Sequence, residues 1–386
     1  MATITVDRFD DVTANDGQTT LREAIGRAND GDRIAFAQAG MVEVSGSSLR
    51  IDQSLVIDGD TDGDGAFDAA IRFQAEGARV GFEVAAGALT LASVAVHSSA
   101  NYVAGGAKLS LRNAVIDGNG SFYDPGIENR GLLEAVNSTF TSIGTPYTSG
   151  ILNLGSMIGV NATFFRISTD GSAIRSTNDL KLYNSTFVGN YSFGAGGAIN
   201  SDGDLVVGNS LFLLNQTDAA GPDANHIANN GTATYSGVNL FGDPGVGRPG
   251  IDIIIADADA VLAPGGLADN GGAVPTVAIL AGGPAHNGGD DGALPQDRLD
   301  ADGDNDSLER LPTDARGVGF ARIADGRSDI GALELVSGAV QVGNGGSDTL
   351  SGGPGVDHLF GLAGDDTLDG AAGDDVILGG DRNDRL

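Results

Sequence analysis

Residues 136–144 read VNSTFTSIG, residues 160–168 read VNATFFRIS, residues 183–191 read YNSTFVGNY and residues 208–215 read GNSLFLLN. Together with an earlier copy, RNAVIDGN, these segments place an asparagine at intervals of 24, 24, 23 and 25 residues: Asn113, Asn137, Asn161, Asn184 and Asn209. A period of this length is too long for a hairpin repeat and fits one coil of a three-sided parallel β-helix. The pattern therefore predicts a body of stacked coils, a right-handed parallel β-helix.

The recurring asparagine marks one turn of each predicted coil. Asn tolerates left-handed backbone, and its amide can hydrogen-bond to the coils above and below, so we expect a ladder of amides. A second series comes eight or nine residues earlier, with Ser176 in one of its places: Asn129, Asn153 and Asn200. Phenylalanines follow the first series, and we expect their rings to stack inside the coils: Phe140, Phe164, Phe187 and Phe212.

One of the few helical signals lies near the N-terminus. Thr20 and Glu23 have the spacing of a capping box, and Leu21, Ala24 and Ile25 fall on one face. We expect a short helix that plugs one end of the body. The text TLREAIGRAND followed by RIAF resembles the N-terminal segment of secreted bacterial β-helix proteins, in which such a helix precedes the first coil.

The asparagine period fades after Asn230, and we expect an irregular segment that closes the body. Its motifs are LADNGGAVPT, GPA, TDARG and DIGALE, at residues 267–276, 283–285, 313–317 and 329–334. They resemble the C-terminal part of bacterial surface proteins with a choice-of-anchor Q domain. Together with the N-terminal segment, the resemblance covers about residues 1–335. It implies a β-helix and a surface or secreted location, and almost no chemistry.

The tail, residues 343–386, repeats a nine-residue unit: GNGGSDTLS, GGPGVDHLF, GLAGDDTLD, GAAGDDVIL and GGDRNDRL. Position six is always Asp and position eight is always a large aliphatic residue, the pattern of a calcium-binding parallel β-roll. The Gly-rich half of a unit makes a turn and the other half a short strand, and two units form one coil. Oxygens of stacked turns then provide the ligands that calcium prefers. The expected ligand positions are Gly343, Gly345, Asp348, Gly352, Gly355, Asp357, Gly361, Ala363, Asp366, Gly370, Ala372, Asp375 and Asp384.

The tail carries nine aspartates in 44 residues, opposed only by Arg382 and Arg385. We therefore expect it to be unfolded without calcium and to fold on binding it. The tail resembles the RTX (repeats-in-toxin) family, which implies calcium binding, type I secretion and an extracellular destination. The last unit is one residue short and no capping segment or secretion signal follows it. We expect either a shortened chain or a natural chain that continues past Leu386.

Composition limits the classes of protein to which the chain can belong. Gly accounts for 62 of 386 residues, which favours many repeated turns, and Cys and Trp are absent. The lack of Cys excludes disulfides and thiolate metal sites. The formal net charge is −31, with Lys108 and Lys181 as the only lysines, and this argues against nucleic acid or an anionic membrane as partner. No stretch is long and apolar enough to insert into a membrane, and residues 1–10 lack the pattern of a signal peptide.

Two acidic loops outside the tail are candidates for further calcium ions. The first has the spacing of the start of an EF-hand loop, with Asp60, Asp62, Asp64 and Asp68 as candidate ligands. Position twelve of that pattern is Ile71, so a true EF-hand is not expected. The second loop, DADGDNDSLE at residues 300–309, is less regular. For both loops, a bound ion and a solvated acidic surface remain the alternatives.

A catalytic groove is the alternative to a binding surface. Enzymes that cleave or epimerise acidic polysaccharide need a base and a cation or calcium near the uronate carboxylate. In this chain such a groove would use Tyr123, Arg130, Tyr147 and Arg175. The YDP sequence at residues 123–125 lacks the His that follows Asp-Pro in mannuronan epimerases, and no basic cluster of pectate lyase type is visible. We therefore assign no catalytic residue and keep these four as candidates for the enzyme alternative.

The sequence thus predicts an all-β chain in three parts. Residues 1–250 form the right-handed parallel β-helix with its short N-terminal capping helix, residues 251–336 its irregular C-terminal part, and residues 337–386 the RTX parallel β-roll. We expect the roll to continue the helix or to dock against its last turn. The expected function is that of a secreted or cell-surface calcium-binding protein, serving adhesion or glycan contact. The alternative is a polysaccharide lyase or epimerase acting on an acidic polysaccharide. The expected partners are Ca²⁺ and a polysaccharide or cell-surface glycan, without nucleic acid or membrane insertion.

Overall fold

The computed structural model covers the whole chain and describes most of its residues. The described ranges are residues 1–14, 16–63, 65–74, 80–98, 100–118, 124–145, 147–218, 226–242, 251–297, 300–302, 304, 306–324, 326–335, 338, 340–352, 357–371 and 375–386.

The strands of successive coils stack into three parallel sheets. The first sheet contains Thr3–Val6, Asp32–Phe36, Leu55–Asp58, Ala88–Ala92, Lys108–Arg112, Leu132–Val136, Ser156–Val160, Leu180–Tyr183, Leu205–Gly208 and Ala233–Ser236. The second contains Gly40–Ser45, Ala69–Gln74, Val94–Ser98, Val115–Gly118, Thr139–Thr141, Thr163–Phe165, Thr186–Val188, Leu211–Leu213, Leu240–Phe241 and Ile253–Ile254. The third contains Leu49–Ile51, Phe82–Val84, Asn101–Val103, Ile127–Asn129, Ile151–Asn153, Ile174–Ser176, Ile199–Ser201 and Ile227–Asn229. A short fourth sheet contains Gly144–Thr145, Ser168–Thr169, Tyr191–Ser192 and Gln216–Thr217. The predicted right-handed parallel β-helix is confirmed.

Aromatic rings run up the interior of the helix. Phe140, Phe164, Phe187 and Phe212 occupy one register position of the second sheet, and their successive centroids are 4.7, 4.3 and 4.9 Å apart. Phe241 extends the stack by one ring, at 5.1 Å. The rings are fully buried, as the sequence predicts. Because every coil repeats the same register, burial of one ring creates the surface on which the next ring packs.

The asparagines of the first series all adopt left-handed backbone, with φ between 47° and 51°. The predicted amide ladder is only partly correct. Asn161 Nδ2 donates to Asn137 Oδ1 at 2.9 Å, but the Asn184 amide has no hydrogen-bond partner among the described residues. Asn209 bonds outward instead, donating to the carbonyl of Asp290 at 2.9 Å. The shared property of the series is therefore the backbone conformation of the turn.

The second series is correct up to Ser176 and wrong at Asn200. Asn129 donates to Asn153 at 2.7 Å, and Asn153 donates to Ser176 at 2.9 Å. In the next coil Ser176 pairs with Ser201, while Asn200 pairs with Arg175 and faces outward. Because a one-residue shift moves a side chain to the other face of a strand, Ser201 continues the inward-facing series and Asn200 does not.

The predicted N-terminal helix spans Leu21–Arg27. Thr20 is its N-cap, and Thr20 and Glu23 form the reciprocal capping box. Leu21, Ala24 and Ile25 are buried in the same core as the first coils. The helix therefore covers the N-terminal end of the stack, as expected.

Residues 255–335, which we call the strap, do not close the end of the body as expected. They contain the 3₁₀ turns Ala258–Ala260 and Asp291–Ala293 and an antiparallel hairpin of Leu262–Ala268 and Thr276–Ile279. The strap folds back along the side of the β-helix. Its apolar residues pack on outward-facing side chains of the second sheet from Ala95 to Leu240. It also touches the first sheet, where Leu311 packs with Val136 and Val160.

The tail forms the predicted roll of two short parallel sheets. One contains Val340–Val342, His358–Phe360 and Val376–Leu378, and the other contains Thr349–Ser351 and Thr367–Asp369. Paired residues are 18 apart, for example Leu350 and Leu368, so two nine-residue units form one coil.

The expected docking of the roll on the last turn of the helix is wrong, because the roll packs against the strap. The Phe320 ring lies 5.4 Å from the His358 ring and 4.9 Å from the Phe360 ring. Burial lowers the pKa of His358 below its ordinary value of 6.5, so its ring is uncharged at neutral pH. The interface is therefore a stack of uncharged rings.

Among the described residues, no helix has the length and apolar character needed to cross a membrane.

Candidate calcium centre and surface clefts

The aspartates at position six of alternate units stack on one another in successive coils. Asp366 Oδ1 accepts the backbone N–H of Asp348 at 2.7 Å. The same bond, 18 residues along, joins Asp357 N–H to Asp375 at 2.9 Å and Asp366 N–H to Asp384 at 3.0 Å. Each of these contacts occupies one carboxylate oxygen and fixes the side chain. The second oxygen is thereby directed toward the Gly-rich turn.

The first glycine of each unit lies beside that second oxygen. A Cβ added at Gly343 would be 2.6 Å from both Asp348 Oδ2 and the carbonyl oxygen of Gly361. At Gly361 an added Cβ would in the same way contact Asp366 Oδ2 and the carbonyl of Gly379. A carboxylate oxygen and a carbonyl oxygen of the next coil thus converge on one place, and only Gly leaves room there.

Asp366 has a carboxylate oxygen that is suited to bind a cation. The residue is 2% exposed, and its Oδ2 has no hydrogen-bond partner. A buried carboxylate oxygen without a partner is costly, and a cation would remove that cost. Carboxylate and carbonyl oxygens are the ligands of a hard cation such as Ca²⁺. The residues present therefore fit calcium.

Most of the predicted ligand positions lie on these turns. Gly355 and Ala372 lie outside the described residues. Gly345 is on an exposed turn, and a Cβ added there would meet nothing within 4 Å. Ala363 forms a parallel bridge with Asp381 of the following coil.

The structure brings part of the first acidic loop together. Asp60, Asp62 and Asp68 each offer a carboxylate oxygen within 4.8 Å of the others, and Asp64 lies outside the described residues. Asp60 also accepts the N–H of Gly63 at 2.6 Å, and Asp68 accepts the N–H of Thr61 at 2.8 Å. These carboxylates organise the loop itself, so both alternatives for this loop remain predictions.

The second acidic loop gathers Asp297, Asp302 and Glu309, and also Asp300, Asp302 and Asp304. Burial and the surrounding carboxylates, Asp304 first among them, raise the pKa of Glu309. Asp297, which the sequence pattern did not include, is buried and accepts the N–H of Ala301 at 2.8 Å. The missed signal is an Asp three residues before the loop.

The two arginines among the candidate catalytic residues are both paired with carboxylates. Arg130 pairs with Glu128 at 2.7 Å, and Arg175 pairs with Asp202. Tyr147 is 65% exposed, and Tyr123 lies outside the described residues. Because both arginines are held by carboxylates, neither is available to neutralise a uronate in this arrangement.

A cleft of about 580 Å³ lies between the first sheet and the strap. Sheet residues Glu134, Ile158 and Lys181 form one row of its floor, and Tyr183 lies in the neighbouring row. The strap wall includes Pro295 and Gln296, with Leu311 beside them. No sequence motif predicts this cleft, although the rarity of lysine in the chain makes Lys181 a signal for it.

The two C-terminal motifs of the strap form a buried polar network. Arg316 pairs with Asp314 at 2.7 Å, and Arg322 Nη2 donates a hydrogen bond to Glu334 Oε2 at 2.7 Å. The backbone N–H of Asp329 donates to Glu334 at 2.8 Å. Burial raises the pKa of Glu334 to about 8. All five residues are buried, so the TDARG and DIGALE motifs are explained by packing.

The comparisons with known proteins identify the tail. The family model described as the RTX calcium-binding nonapeptide repeat, in four copies, matches residues 342–377 and 369–386. These repeats are calcium-binding motifs, so the chain has a calcium-binding segment at this position. No family match supports the resemblance of residues 1–335 to choice-of-anchor Q proteins. No curated protein matches the chain.

Proposed function

We propose that the chain is a secreted or cell-surface protein whose roll folds on binding calcium and whose β-helix body contacts glycans. The observation that carries the calcium part is the stack of aspartates in which Asp366 keeps a buried, partnerless oxygen. RTX repeats are typical of secreted proteins, which supports the location. The strap leaves parts of the outer faces of the first and third sheets exposed, for example at Lys181 and Arg50, which supports the binding role. In this proposal residues 1–250, 251–336 and 337–386 act as three parts.

The proposed ligands of the roll include Asp348, Asp357, Asp366, Asp375 and Asp384. Calcium titration of the whole chain, followed by circular dichroism, should give a gain of β signal with a midpoint of about 0.1 to 1 mM, typical of extracellular calcium modules. Asp366→Asn removes the charge and leaves the shape, so it should raise this midpoint by roughly tenfold, since calcium affinity follows the number of charged ligands.

Asp369→Asn is the matched control for this titration. Asp369 is exposed at position nine of the same unit, and its carboxylate accepts only the local N–H of Ala371 at 3.0 Å among the bonds described. It should titrate like the unaltered protein. Equal midpoints for Asp366→Asn and Asp369→Asn would refute the proposed ligand role.

The glycan role requires a separate measurement. The calcium-loaded chain should bind some members of a panel of immobilised neutral and acidic polysaccharides. Binding to none of them, with the calcium response of the roll intact, would leave the calcium assignment in place and remove the glycan role.

A further inference from the structure

We infer that the cleft between the first sheet and the strap binds a carboxylate-bearing sugar, with Lys181 as the group that recognises the carboxylate. This inference rests on the proposed glycan role and assigns it a site and a ligand class. The chain has a net charge of −31 and only two lysines. Both lie on the outer face of the first sheet, on strands Lys108–Arg112 and Leu180–Tyr183.

The two lysines have different surroundings. Lys108 Nζ lies 2.5 Å from Glu134 Oε2, which also accepts the Ser110 hydroxyl at 3.0 Å. The Glu134 charge is thereby compensated inside the cleft. Lys181 is exposed to the cleft and has no ion pair among the described residues. It therefore remains the available cation of the cleft.

The remaining lining fits a sugar ring. Val136, Val160 and Leu311 form an apolar wall, and Tyr183 adds an aromatic ring beside it. Gln296 and Ser236 supply amide and hydroxyl groups at the edges. The buried Asp297 also lines the cleft, and its Oδ2 accepts the N–H of Ala301 at 2.8 Å, which leaves Lys181 to meet the sugar carboxylate. Sites for small ligands typically combine an apolar surface with a few converging polar groups, in a volume of about 300 to 1,000 Å³. A uronic acid residue presents a ring with hydroxyls and one carboxylate, which matches this set.

The charge of the whole chain narrows the range of possible ligands further. A single available lysine in a strongly acidic protein does not favour a polyphosphate such as nucleic acid, which needs many cations. One carboxylate at one lysine requires only a local charge-assisted hydrogen bond. We therefore expect short uronate segments to bind, and the interaction to weaken with added salt.

The test uses the full chain in saturating calcium, with calorimetric titration of a galacturonic acid trisaccharide and of its methyl ester. The ester keeps the rings and removes the charges. The acid should bind and the ester should bind roughly tenfold more weakly, as expected for loss of a charge-assisted bond. Lys181→Gln should weaken binding of the acid by a similar factor and leave binding of the ester unchanged. Tyr183→Ala should weaken binding of both the acid and its ester.

Arg72→Gln is the charge control, because Arg72 is exposed on a strand of the second sheet and pairs with Glu43 at 3.3 Å. It should bind the acid like the unaltered protein. If the acid and its ester bind equally, or if Lys181→Gln binds the acid normally, the inference is wrong. Should the polysaccharide panel give binding that is insensitive to Lys181→Gln, the glycan role survives without this site. Should the panel give none, the glycan role itself fails.

Discussion

Leu362 and Ala371 occupy the second position of their units, and both have left-handed backbone. Their φ angles are 71° and 67°, and Gly380 at the same position of the last unit has a φ of 93°. For a residue with a Cβ, this conformation costs about 1 to 2 kcal/mol. The repeat pattern prefers Gly there, so these two turns carry backbone strain that the folding of the roll must offset.

Ala371→Gly should therefore stabilise the folded roll by about 1 kcal/mol, because relief of the strain exceeds the added flexibility of the unfolded chain. Ala371 is exposed, so little packing is lost. The calcium midpoint of the circular dichroism signal should fall. Ala363→Gly is the matched control, because Ala363 is not among the residues with positive φ. It should raise the midpoint. A fall for both variants would show that the backbone argument is wrong.

At the scale of the elements, the repeated features of the β-helix could be predicted from the sequence, whereas the path of the non-repetitive strap could not. The left-handed asparagine turns, the Phe stack and the capped helix follow from local chemistry and a period. The error at Asn200 arose because residue type was preferred over spacing. Ser201 keeps the offset of eight residues before Asn209 that Ser176 keeps before Asn184. The strap could not be placed, because its contacts join residues far apart in sequence, such as Thr139 and Pro275, without any period.

The strap also gives a prediction about pH. Burial raises the pKa of Glu334 from 4.5 to about 8, so the folded protein holds this proton over a range in which the unfolded chain has released it. Stability from this group is present below about pH 4.5 and is lost as the pH rises toward 8. Urea unfolding midpoints should therefore fall across this range. In Glu334→Gln the side chain cannot titrate, so the fall should be smaller. Parallel pH profiles for the two proteins would contradict the assignment.

At the scale of the whole molecule, the stacked rings of Phe320, His358 and Phe360 connect the calcium-binding roll to the body. Phe320 of the strap is 1% exposed, and the Arg316 guanidinium covers it at 3.9 Å. Arg316 belongs to the buried polar network that fixes the strap. If the roll folds only with calcium, the contact between Phe320 and Phe360 exists only with calcium. Calcium should then stabilise the body as well, because a ligand that favours one partner of a contact favours the contact.

The aromatic composition makes this coupling measurable. All six tyrosines lie between residues 102 and 235, and Trp is absent, so tyrosine fluorescence reports on the body alone. Calcium should raise the melting temperature seen by tyrosine in the unaltered protein. Phe360→Ala removes the ring from the roll and leaves the strap intact. It should keep the calcium-induced β signal and abolish the shift of the tyrosine transition.

Val342→Ala provides the control for the truncation. Val342 pairs with Phe360 in the same sheet, but it is 46% exposed. Truncation of the Val342 side chain should leave the calcium-induced shift of the tyrosine transition unchanged. Phe320→Leu tests the contact from the other side and should reduce the shift. If calcium fails to move the tyrosine transition of the unaltered protein, or moves it equally in Phe360→Ala, the roll and the body fold independently. In that case the stack is a contact without energetic consequence, and calcium acts on the tail alone.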